Sequence, residues 1–138
     1  MSTPVMLAMV GLVGFGISNF FWKVAGERQV YGPSYMLAES LAFCIVGVAI
    51  HVIQRHTFNL SLPMTGLGML GGMLSGVSVF CILLAFRLGG AGSVVFPIAR
   101  LGVIVSVLLA FLVYREPITA TKVIGLGLGM SSIVVLSR

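Results

Sequence analysis

Two ionisable residues stand well inside apolar stretches of this chain, Glu39 and Arg100. A charge within a lipid-spanning segment is costly and marks a functional site by default. Around them fall the polar residues Asn19 and Ser78, with Ser18 and Ser106. The chemistry open to such a set is recognition of a solute. Arg100 would meet an anionic or carbonyl group and Glu39 a cationic one. The plainer reading is that Glu39 and Arg100 neutralise each other and fix helix packing. Serines in apolar helices more commonly bond their own backbone.

Enzyme chemistry finds little footing. The acidic residues are Glu27, Glu39 and Glu116, with no aspartate, so aspartyl dyads and Ser-His-Asp triads are excluded. No cluster of His, Cys and Glu has metal-ligand spacing, so neither a metal nor a cofactor is expected. His51 and His56 lack convergent ligands, and Cys44 and Cys81 lie singly in apolar segments, saying nothing of redox compartment.

The elements that must carry these residues follow from composition. Of 138 residues, 59% are hydrophobic and 8% charged, with a mean hydropathy of +1.17. Soluble domains carry about 25% charged residues, so the chain is an integral membrane protein. Its net charge of +5 comes from single basic residues spread over the loops, which suits lipid headgroups and gives no nucleic-acid patch. The N-terminus has no basic region before a long apolar run, and a first spanning helix is expected there in place of a cleaved signal.

Five apolar segments each come near the roughly 20 residues needed to span the bilayer. They run over about 4–25, 34–53, 65–86, 91–113 and 119–136. None shows the alternation of barrel strands. The expected fold is therefore all-α, five transmembrane helices in one domain, 1–138. Trp22, Tyr31 and Tyr114 are expected in the interfacial aromatic belt.

Helix order sets depth. With side A the N-terminal side and side B the other, the second and fourth helices enter from side B. Glu39 then lies about five residues in and Arg100 about nine, a difference of roughly 6 Å that an arginine side chain spans. Asn19 and Ser78 fall at similar depth from that side, giving a polar layer shared by four helices. Pro97 removes one helix hydrogen bond and predicts a bend one turn before Arg100, either static or a gating hinge. Small residues recur at helical spacing as Gly68, Gly72 and Gly76, as Gly102, Ser106 and Ala110, and as Gly125 and Gly129. Such stripes predict close helix packing, within the chain or between chains.

Loop charges give almost no orientation bias. Arg55, Arg115 and Lys122 fall on side A, and Lys23, Arg28, Arg87 and Arg138 on side B. A near-balance of this kind fits a chain that inserts both ways and pairs antiparallel, and equally a weak bias or a partner that fixes orientation.

The segment Ala85-Phe86-Arg87-Leu88-Gly89-Gly90-Ala91-Gly92-Ser93-Val94-Val95-Phe96-Pro97 resembles the signature joining the third and fourth helices of the EamA-type domain of the drug/metabolite transporter superfamily. The likeness continues through Arg115-Glu116-Pro117-Ile118-Thr119, where Pro117 stands in place of the family's usual basic residue, and ends with Gly125 and Gly129. It covers most of the chain and is strongest over the C-terminal 55 or so residues.

The resemblance implies one five-helix half of an inverted-repeat fold whose substrate site lies between repeats. It implies a secondary transporter or exporter of small metabolites or drugs, in a bacterial inner membrane. The partners implied are a small-molecule solute, the lipid bilayer, and a second copy in antiparallel orientation or a homologous subunit. The chain is also similar in size to the small multidrug resistance relatives, but the acid those carry in their first helix has no counterpart in 4–25. The readings from other classes are a non-transporting subunit of a larger complex and a subunit of a lipid-linked sugar flippase.

Overall fold

A computed structural model describes residues 3–115 and 119–136. Glu116, Pro117 and Arg138 lie outside the described residues. Among those described, the secondary structure is wholly helical, in six helices: α1 (Thr3–Glu27), α2 (Gly32–Gln54), α3 (Leu62–Arg87), α4 (Gly92–Arg100), α5 (Gly102–Tyr114) and α6 (Ala120–Leu136). Helices are what a chain this apolar must form in lipid, where each backbone N–H and C=O needs an internal partner.

Among the described residues, four stretches are long and apolar enough to cross a membrane: α1, α2, α3 and Gly92–Tyr114, which joins α4 and α5. α6 has 17 residues, or about 25 Å at 1.5 Å per residue. Helix starts fall earlier than expected for α2 and α3 because Pro33 and Pro63 sit in the first turn. There a missing N–H costs nothing, since no carbonyl precedes it in the helix.

α1 also runs further than expected, taking in Gly26 and Glu27. Its end is closed by a pair of bonds in the Schellman pattern, Gln29 N–H to the Gly26 carbonyl at 3.0 Å and Val30 N–H to the Ala25 carbonyl at 3.0 Å. Gln29 holds the left-handed conformation, φ 54°, that glycine usually supplies at this position. Glu27 is thus an acid in the first helix. It is exposed at the helix end and pairs with Lys23 one turn back, at 3.3 Å.

The expected fourth helix is interrupted at a different place from the one Pro97 predicts. Helix α4 runs through Pro97, and the break falls at Leu101, directly after Arg100. Pro97 has no N–H to give to the Ser93 carbonyl. The chain then tightens by a residue: Leu101 N–H bonds the Ile98 carbonyl at 3.1 Å, and Ile104 N–H bonds Leu101 at 3.0 Å. Gly102, a weak helix former, follows at once. The discontinuity is therefore the turn that carries Arg100.

The chain divides into two compact units, 1–88 with α1 to α3 and 89–138 with α4 to α6. The first unit is packed at its side-B end. Gly26 of α1 lies against Phe86 of α3 so closely that a methyl group there would overlap the Phe86 Cβ. A methyl group on Gly32 of α2 would meet the Phe80 ring at 3.6 Å, ordinary contact distance. Leu83 and Phe86 are 2% exposed and Ala25 6%. The Gln29 side chain ties the α1–α2 turn to α3 by donating Nε2 to the Arg87 carbonyl, at 3.0 Å. Burying Leu83 against protein in place of lipid tails exchanges like for like, so close approach at glycine and hydrogen bonds must hold these helices together.

Most residues of the spanning stretches are exposed, with at most 11% of each spanning window buried. In the second unit, α4 and α6 pack on one another.

Candidate solute-binding site

The residues on the inward faces of the first unit follow helical spacing. On α2, buried Gly32 and half-buried Tyr35, Met36 and Glu39 form a stripe at i, i+3, i+4 and i+7. On α1, half-buried Ser18, buried Asn19, half-buried Trp22 and buried Ala25 and Gly26 form the matching stripe. Both stripes run from the packed side-B end inward and stop at the polar residues.

Where they stop, two helices are joined by a hydrogen bond. Trp22 Nε1 donates to Glu39 Oε1 at 2.9 Å, across 17 residues of sequence. A bond to an ionised acceptor is stronger than one between neutral groups. The indole fixes the position of the carboxylate, and the carboxylate fixes the plane of the ring. Asn19 lies three residues before Trp22, on the same face and one turn deeper. It is 7% exposed, and its Oδ1 has no hydrogen-bond partner. An unpaired acceptor so deeply buried is uncommon in folded proteins.

The expected site residues are therefore partly brought together. Asn19 and Glu39 belong to one cluster. Ser78 is exposed and donates its hydroxyl to the Leu74 carbonyl of its own helix, at 2.9 Å. Ser106 does likewise to Gly102, at 3.3 Å. Arg100 belongs to the second unit, is exposed, and has no ion-pair partner among the described residues.

Sequence reading missed Trp22. It was expected in the interfacial belt together with Tyr31 and Tyr114, which are 64% and 77% exposed. The signal available was its spacing from Asn19, which places both on one face of α1.

The glycine stripes have a similar outcome. Gly68, Gly72, Gly102, Gly125 and Gly129 have open space where a side chain would project, and Gly76 has only the Met36 methyl at 3.8 Å. The glycines in closest contact with a neighbouring helix are Gly26 and Gly32, which belong to none of those small-residue repeats.

A helical, lipid-facing chain with a carboxylate, an indole and a buried amide gathered inside it belongs to the class of integral membrane proteins with a polar interior site. The family is then given by comparison. The model of the EamA-like transporter family matches residues 2–138, and the chain belongs to that family, the EamA domain of the drug/metabolite transporter superfamily. No curated protein and no solved structure matches the chain.

Proposed function

We propose that this chain is a secondary transporter of small solutes that works as an antiparallel pair of five-helix repeats, with alternating access between them. The observation that carries the reading is the family match over residues 2–138. The polar cluster of Asn19, Trp22 and Glu39 supports it, because an apolar subunit with only a structural role has no use for a buried, unpaired acceptor. Two further features favour a paired state. The spanning windows are at most 11% buried, which leaves whole helix faces for a second repeat. The loop charges are almost balanced between the two sides.

In this reading each repeat of the pair contributes Asn19 and Glu39 to the solute path, and Arg100, on the turn beside Leu101, is a further candidate lining residue. Ser78 is a lesser lining residue, since its hydroxyl is engaged by Leu74. The break at Leu101 and the Pro97 gap in the hydrogen-bond ladder form the bending element. The solute is a small metabolite or drug, and the membrane is the bacterial inner membrane.

The test joins topology to flux. A reporter fused to the C-terminus is expected to signal from both sides of the membrane. Proteoliposomes of the purified chain are expected to take up solute at a rate that falls in Arg100→Ala and Glu39→Gln. A one-sided signal with a stoichiometric foreign partner and no flux overturns the proposal in favour of an accessory subunit.

A further inference from the structure

We infer that the Asn19–Trp22–Glu39 cluster is a subsite for a primary ammonium group of the transported solute. The inference rests on the transport reading above and names the chemistry that the site selects. Three observations converge on it.

The first is the Asn19 Oδ1, buried and without a donor. A buried polar group left unpaired costs free energy that a bound donor recovers. The second is Glu39. It sits seven residues into α2, about 10 Å along the helix axis. Its Oε1 accepts from Trp22, and it has no cation partner among the described residues, where the ion pair present joins Lys23 to Glu27. A carboxylate at that depth calls for a counter-charge. The third is the indole of Trp22. Its N–H is engaged by Glu39 at the ring edge, so that bond occupies neither ring face, and cations bind the faces of tryptophan rings best of all aromatic side chains.

Taken together, the cluster offers a negative charge, a neutral acceptor and an aromatic face. A primary ammonium matches all three, since it carries charge and three N–H donors. A quaternary ammonium matches the charge and the ring but leaves Asn19 unpaired. A hard metal cation needs about six oxygen ligands, and one carboxylate with one amide oxygen falls short. Trp22 and Glu39 are half-buried, so the carboxylate and the indole are reachable from outside the bundle, while the covered Asn19 Oδ1 is reached only when the helices around it part.

The chain contains one tryptophan, Trp22, so tryptophan emission, excited at wavelengths where tyrosine does not absorb, reads this site alone. Purified protein in detergent is titrated at constant pH and ionic strength with n-butylammonium, tetramethylammonium, n-butanol and sodium chloride. A saturable change is expected with butylammonium, with tetramethylammonium about tenfold weaker, the usual consequence of leaving one buried acceptor unpaired. Butanol and sodium are expected to produce none. Glu39→Gln should weaken butylammonium by about tenfold or more. Asn19→Ala should narrow the gap between primary and quaternary amines.

The inference is overturned if no amine gives a saturable change, if butanol or sodium binds as well as butylammonium, or if Asn19→Ala leaves the preference intact. It is also overturned if the emission follows pH alone, which would make a proton the occupant. Binding needs no second compartment, so it is separable from flux. Binding without flux removes the transport reading and keeps the subsite. Flux without amine binding removes the subsite alone.

Discussion

Replacing Gly26 by alanine tests how the first three helices are held. A methyl group at Gly26 would overlap the Cβ of Phe86 and lie 3.2 Å from the Phe86 carbonyl carbon and 3.3 Å from the Arg87 nitrogen. None of these atoms belongs to the movable end of a side chain. Rotamer changes give no relief, so α1 and α3 must part by on the order of 1 Å for the carbons to regain ordinary contact. Ala25, Leu83 and Phe86, the closest-packed apolar residues, lose contact together. Overpacking costs about 1–3 kcal/mol, and a clash against backbone belongs at the upper end.

The assay is equilibrium unfolding in mixed detergent micelles, followed by the fluorescence of Trp22, which stands one turn from Gly26. Gly26→Ala is expected to lose about 2–3 kcal/mol. The partner variants sharpen the test. Phe86→Ala keeps the Cβ that clashes, so it should not relieve Gly26→Ala, whereas Phe86→Gly removes that atom and should show a favourable coupling in a double-mutant cycle. The reasoning is refuted if Gly26→Ala stays within about 0.5 kcal/mol of the parent, or if Phe86→Ala relieves it as well as Phe86→Gly does.

Further outcomes follow from the same geometry. Gln29→Gly removes about 1 kcal/mol of left-handed strain but loses the bond to the Arg87 carbonyl, so its melting temperature should stay near the parent's. Gln29→Ala keeps the strain, loses the bond, and should melt lower. Gly72→Leu meets open space within the first unit, so the monomer should unfold at the parental midpoint; a loss of crosslinked dimer in membranes would place the α3 stripe between copies. Pro97→Ala supplies the N–H that the Ser93 carbonyl lacks, so it should raise thermal stability and, with Pro97 as part of a working bend, lower flux.

Much of the architecture was legible in the sequence because it depends on local quantities. The five apolar runs fixed where helices form, since lipid forbids unpaired backbone. Pro33 and Pro63 needed only first-turn logic to move two helix starts outward. The family was legible in the stretch from Ala85 to Pro97, a string of residue types at fixed spacing. Pro97 suggested a bend at its own position, whereas α4 runs through it. The position of the break one residue beyond Arg100 depended on how the next turn redistributed its hydrogen bonds.

The sequence by itself determined that this protein lies in a membrane, that it is helical, and that Asn19, Glu39, Ser78 and Arg100 stand inside apolar runs. Only the tertiary structure decided which of them meet. Helices α1, α2 and α3 are apolar nearly all round, so their patterns do not state which face turns inward. That rotation is set by contacts between distant residues, Gly26 on Phe86 and Gly32 on Phe80. Once it is set, Trp22 reaches Glu39, and Asn19 is buried one turn away with its acceptor unfilled.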